Sequence, residues 1–210
     1  MDRHPRIPTS HLLLLTGVLI VALWSVVHPH DLFTWSLETF PAFIGLAVLA
    51  ATYRRFPLTI LAYSVIAVHC VILFVGGHYT YAEVPLFDWI RDTFHLARND
   101  YDRVGHFWQG FGPAIVAREV IIRTSPLKKG KWLFFLVMCF CLALSAAYEL
   151  LEWRVAVGTG SAADAFLGTQ GDPWDTQEDM ATAWFGALMA LWLLPKVHDR
   201  QISALPRKRS

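Results

Sequence analysis

The sequence predicts an all-α fold: a polytopic membrane helical bundle of about six transmembrane helices with a short interfacial amphipathic helix, one integral membrane domain over residues 1–210. Three observations predict it. Of the 210 residues 55% are hydrophobic and the mean hydropathy is +0.40. The apolar residues come in long blocks separated by short polar stretches, and a membrane-crossing helix needs roughly 20 such residues. Lysine and arginine collect in alternate connections between the blocks, as they do in cytoplasmic loops.

The first block, about 11–27, follows Arg3 and Arg6. It is too long for the apolar core of a signal peptide and leads into His28-Pro29-His30, so it is expected to stay as a first span. The second span covers about 37–53, with Pro41 near its start, where proline is tolerated. The third covers about 57–76, and Gly76-Gly77 is expected to break it. A polar stretch follows, in which Phe87, Ile90, Phe94 and Ala97 recur at helical spacing against Asp88, Arg91, Asp92, His95 and Arg98. That pattern predicts an amphipathic helix over 86–99, lying in the membrane interface. The fourth span, about 104–122, is the least apolar and includes His106, Gln109, Arg118 and Glu119. The fifth, about 132–153, ends at Tyr148, Glu149 and Glu152. The sixth, about 175–194, stops at Pro195.

The basic segments Arg3/Arg6, Arg54/Arg55, Arg123–Lys131 and Lys196–Arg209 all fall on one side of a six-span chain. The reading therefore puts both termini in the cytoplasm and an acidic face outside. A net charge of +1 gives no electrostatic case for a nucleic-acid partner, and no phosphate-loop, zinc-finger or dinucleotide motif is present. The expected partner is the lipid bilayer itself. Cys70, Cys139 and Cys141 lie inside apolar blocks and read as small buried hydrophobes.

Ionisable groups at membrane depth are costly and mark candidate sites. Asp102 and His106 are four apart on one helix face, a spacing suited to a divalent metal such as zinc or to an acid–base pair. Glu149 and Glu152, three apart at the end of span five, are the candidate catalytic carboxylates. Asp175 and Asp179 share a face of span six, and His78 adds a further ligand on the outer side. The expected metal set is thus Asp102, His106, Glu149, Asp175, Asp179 and His78. The plain alternatives are helix capping by Asp102, Asp175 or Thr176, an ion pair of Glu149 with Arg154 or Arg103, and a solvated His78.

Three sequence blocks carry a resemblance: Tyr101-Asp102-Arg103-Val104-Gly105-His106-Phe107, Tyr148-Glu149-Leu150-Leu151-Glu152-Trp153, and the stretch from Gly168-Thr169-Gln170-Gly171-Asp172 through Pro173-Trp174-Asp175-Thr176-Gln177-Glu178-Asp179-Met180. Together they resemble the YjdF-type family of bacterial inner-membrane proteins, a domain of unknown function, over nearly the whole chain. The first block is also similar to the VanZ-like membrane proteins associated with glycopeptide resistance, from which the Glu-x-x-Glu pair departs. The resemblance implies a bacterial inner (cytoplasmic) membrane location and a multi-pass topology, and no particular reaction. The residues themselves allow three functions: metal-assisted hydrolysis or transfer on a lipid or envelope intermediate in a periplasmic pocket of spans four to six, proton- or cation-coupled transport or binding, and non-catalytic scaffolding. A lipid-like ligand is the small-molecule partner the first of these expects.

Overall fold

The computed structural model describes residues 7–160 and 164–205. The charges of Arg3, Arg6, Arg207, Lys208 and Arg209, which enter the orientation argument, lie outside the described residues, as does the side chain of Asp164. The described chain is helical: α1 (Thr9–Ser25), α2 (Leu32–Thr52), α3 (Ile60–Tyr79), a 3-10 turn (Tyr81–Glu83), α4 (Pro85–Phe94), α5 (Tyr101–Thr124), α6 (Lys131–Thr159), α7 (Asp164–Leu167), α8 (Asp175–Leu193) and α9 (Pro195–Ala204).

The chain is an all-α membrane bundle. Helices α2, α3 and α6 are each long and apolar enough to cross a membrane, and α8 with α9 qualifies as a pair bent by 65°. Helix α1 is a shorter apolar helix. Helix α5 has 24 residues, long enough to cross, but carries Asp102, Arg103, Arg118, Glu119 and Arg123. The surface is inverted relative to a water-soluble domain: Leu13, Leu23, Trp132 and Trp192 are exposed, while Glu38, Glu119, Asp179 and His198 are buried. Large contiguous apolar surface of this kind belongs against lipid.

Several boundaries differ from the sequence expectation, three of them for clear local reasons. Helix α2 begins five residues early, at Leu32, because the Asp31 carboxylate caps it by accepting the Thr34 N–H at 2.6 Å. Helix α3 does not break at Gly76-Gly77 but runs on to Tyr79. Those glycines admit neighbours: the Tyr81 ring lies where a Gly76 Cβ would be, and Thr39 Cγ2 would stand 2.8 Å from a Cβ on Gly77. The amphipathic helix ends at Phe94 rather than at residue 99, because His95 takes a left-handed conformation and donates its N–H to the Arg91 carbonyl. Its apolar side chains Leu86, Trp89 and Phe94 are exposed, while Phe87 turns inward to meet Tyr101 edge-on. Pro195 ends α8 as expected, yet it also opens α9, where proline suits a first turn.

Helix α5 is the hub. It packs along α3, α6 and α8, and the α5–α8 contact is the most extensive in the molecule. Two glycines set that contact. A Cβ on Gly110 would collide with the Ala183 carbonyl, and one on Gly186 would collide with the Phe107 carbonyl. The backbones therefore touch, as small residues allow at membrane helix crossings. Helices α1 and α2 pack on α3, and α6 packs on α5 and α8. Among the described residues no comparable packed interface joins α2 to α6, and α7 contacts both.

Candidate functional site

The close α5–α8 crossing brings the first turns of both helices together, and with them the charged residues that begin each one. Asp102 and His106 rise from α5, Asp175 and Asp179 from α8, and Glu149 and Glu152 from α6. His106 sits at the centre. Its Nε2 is 3.5 Å from Asp102 and 3.8 Å from Asp179, and its Nδ1 is 3.7 Å from Glu149 and 3.2 Å from the Gln109 carbonyl oxygen. One ligand atom from each of Asp102, His106 and Asp179 falls within 4.8 Å of the others, and all three residues are buried. Two carboxylate oxygens and an imidazole nitrogen are a donor set suited to a divalent cation such as zinc.

Two arginines share this cluster. Arg103 binds Asp179 and reaches Asp175 at 3.2 Å, Asp172 at 3.4 Å and Glu178 at 2.8 Å. Arg98 binds Asp175, lies 3.6 Å from Asp102 and donates to the Gly168 carbonyl at 3.2 Å. The segment that carries Arg98 is tied to the loop before α8 by Gln170, whose amide both accepts from Asn99 N–H and donates to Asn99 C=O, each at 2.9 Å. Among the described residues, Asp102, Glu149, Glu152, Asp175 and Asp179 thus face two guanidiniums and one imidazole. The carboxylates are in excess, and buried charge without a partner is strongly unfavourable. The Glu149 Oε1 atom is buried and makes no hydrogen bond to a described residue.

Asp102, His106 and Glu152 of this cluster reach into a cavity of about 720 Å³, with Glu149, Asp175 and Asp179 behind its lining. Glu38, Tyr81, Asp102, His106, Tyr148 and Glu152 line its polar end, and Ile44, Val48, Leu73, Val116, Val120 and Leu144 line the apolar remainder. Its α5 wall runs from Asp102 to Ile121, which at 1.5 Å per residue is roughly 28 Å, close to the depth of a hydrocarbon core. Ile44 and Val48 of α2 and Phe140 and Leu144 of α6 are both cavity lining and exposed surface. The cavity therefore opens sideways, between α2 and α6, toward lipid.

Of the residues singled out in the sequence, Asp102, His106, Glu149, Glu152, Asp175 and Asp179 come together. His78 does not join them: its Nδ1 is 3.1 Å from the Ser25 carbonyl and its ring packs on Trp24 with centroids 4.2 Å apart. Neither Asp175 nor Thr176 caps α8; Trp174 stands at that position, and the Asp172 carboxylate accepts its N–H at 2.8 Å. Arg103 serves the aspartates of α8 rather than Glu149.

Sequence reasoning missed two features. Glu38 of α2 belongs to the cavity head, 2% exposed; its only sequence signal was an acid one turn before Pro41. The second is a buried polar lock at the opposite end of the bundle. There Glu119 accepts from Thr59 N–H at 3.0 Å and Thr59 hydroxyl at 2.7 Å, pairs with Arg123 at 2.5 Å, and lies 3.0 Å from His198 Nε2. Arg118 bonds Asp199 at 2.6 Å, and Lys129 reaches Asp199 at 3.0 Å. This lock pins α9 to α3 and α5.

Fold and surface together define the class: a helical integral membrane protein with a charged cavity open to the bilayer. The chain belongs to the family described as "Predicted membrane protein (DUF2238)", whose model matches residues 10–200. It is 47% identical over 198 residues to the inner membrane protein YjdF of Escherichia coli (strain K12), covering 94% of this chain and 93% of that relative. No solved structure matches the chain.

Proposed function

We propose that the chain is a multi-pass inner-membrane protein that takes an amphiphilic envelope molecule from the bilayer and holds its head group against a divalent metal bound by Asp102, His106 and Asp179. The inner-membrane assignment extends the location in the YjdF relative's name to this chain. Six spans with both ends cytoplasmic follow from the basic segments, and this orientation puts the cavity head on the periplasmic side.

The observation that carries the proposal is the coincidence of two independent features. Asp102, His106 and Glu152 line the polar end of the cavity that opens sideways to lipid, and they belong to a cluster in which carboxylates outnumber their partners among the described residues. Pure scaffolding accounts for it less well. The lock around Glu119 is what a structural polar cluster in this protein looks like, with its carboxylate fully partnered. The cluster around His106 leaves Glu149 Oε1 with only the His106 ring at 3.7 Å and no hydrogen bond from a described residue. A bound metal would supply Lewis-acid polarisation of a head-group oxygen. Glu149 and Glu152 are within reach to hold or accept a proton.

The test is elemental analysis of protein purified without chelator. About one divalent ion per chain is expected, and Asp102→Asn and His106→Ala are expected to lose it while eluting as folded protein. A metal content near zero in the wild type, or one unchanged in both variants, contradicts the proposal.

A further inference from the structure

The two helices flanking the lateral opening each place one carboxylate at the cavity head, and neither carboxylate meets an arginine or lysine among the described residues. Glu38 comes from α2 and Glu152 from α6. Glu38 is almost wholly buried. The Tyr81 amide and the Thr80 hydroxyl are its polar neighbours, while neither of its oxygens has a hydrogen bond of full geometry to a described residue. Among the described residues no arginine or lysine pairs with it. Glu152 likewise makes no hydrogen bond or ion pair to a described residue, and the guanidiniums nearby are committed to Asp102, Asp172, Asp175, Glu178 and Asp179. The Tyr148 ring stands within electrostatic reach of both glutamates. It gives the head an aromatic wall, and aromatic faces attract cations.

Two positions are held closely enough for this to be a built feature. The Tyr81 ring is wedged between α3 and α5, where a Cβ on Gly76 or Gly105 would strike it. Thr80, which precedes it, has φ 58° and ψ 140°, a backbone region that β-branched residues avoid and that costs on the order of 1–3 kcal/mol. That conformation turns the chain from α3 into the 3-10 turn and sets Tyr81 beside Glu38.

We infer that the head group taken by this cavity carries a cationic amine, seated between Glu38 and Glu152, so that the ligand is an amine-headed amphiphile whose tail lies along α2, α5 and α6. This rests on the cavity reading above and deepens it. A metal at Asp102, His106 and Asp179 would balance those three groups and leave Glu38 and Glu152 with no cation beside them. A simple phosphate head would add repulsion there, whereas an ammonium supplies both charge and donors. The side entrance between Ile44, Val48, Phe140 and Leu144 admits a tail without passage through water.

The experiment uses the full chain in nanodiscs of a neutral phosphocholine lipid, with three probes of equal chain length: hexadecylamine, hexadecanol and hexadecyl phosphate. Binding is read by native mass spectrometry. Hexadecylamine is expected to bind roughly tenfold or more tighter than the other two. Glu38→Gln and Glu152→Gln are each expected to erase that preference while leaving hexadecanol binding in place. Val48→Trp, which fills the tail region, is expected to weaken all three. Two results overturn the inference: equal binding of the three probes by wild-type protein, or a preference for hexadecyl phosphate. If no probe binds and Val48→Trp changes nothing, the cavity reading itself has failed. The wild-type head-group preference decides the inference even if a glutamate variant does not fold.

Discussion

At the scale of single residues, the molecule separates two kinds of buried charge. Glu119 is a carboxylate with its demands met: Thr59, Arg123 and His198 surround it. Removing it takes the carboxylate from Arg123 and His198 in a low-dielectric interior, and breaking a buried pair typically costs about 3–5 kcal/mol. Glu119→Ala is therefore expected to lower the unfolding temperature in detergent by many degrees, and an unchanged transition would contradict the lock. Asp199, beyond Pro195 where the expected sixth span stops, gives a pH-dependent counterpart. Burial pushes its carboxyl upward, but hydrogen bonds from Arg118 and Lys129 outweigh this and hold it below the usual carboxylate value. A carboxylate with a depressed folded value stabilises fully above its unfolded value of about 3.9, and the contribution is lost as pH falls through the folded value. Acidification below about pH 4 is thus expected to loosen α9. Amide exchange across Pro195–Ala204 should rise there, and Asp199→Asn should remove that pH dependence. The effect is modest, because the Asp199 side chain is 33% exposed.

At the scale of elements, the α5–α8 crossing positions the site. Gly110 and Gly186 let the two backbones touch, and this sets Asp102 and His106 of α5 against Asp175 and Asp179 of α8. Gly110→Leu must push the helices apart, and overpacking of this kind costs about 1–3 kcal/mol or more. The expected outcome is loss of bound metal without any change to a ligand residue; metal retained at wild-type level would show that the crossing does not set the site. The sequence already carried much of this. Helical spacing put Asp102 with His106 and Glu149 with Glu152, and the apolar blocks located the long helices to within a few residues. Other features were not legible because they depend on which helices become neighbours. Glu38 reads as one acid among many until α2 is seen to flank the cavity. His198 and Asp199 follow Pro195, and nothing local shows that α9 folds back under α3 and α5. Gly76-Gly77 reads as a break because a helix-interior glycine pair is destabilising on its own; the Tyr81 and Thr39 side chains that fill the space lie elsewhere in the chain.

At the scale of the whole molecule, α1 and α2 lean on α3, α6 and α8 lean on α5, and the gap between α2 and α6 is the consequence. The basic segments on one side and the acidic cavity head on the other predict a single orientation. Cysteine scanning with a membrane-impermeant thiol reagent in intact cells, on a background lacking Cys70, Cys139 and Cys141, is expected to label Asp92→Cys and leave Lys128→Cys unlabelled; the reverse pattern would invert the bundle. The central claim is that metal and amphiphile meet at one cavity. Native mass spectrometry of the chain ejected from nanodiscs of its own membrane lipids tests it most directly. The account predicts an adduct of one divalent ion and one amphiphile, with the ion lost in Asp102→Asn and the amphiphile lost in Val48→Trp. A wild-type protein that flies bare, or adducts that neither substitution removes, would contradict it.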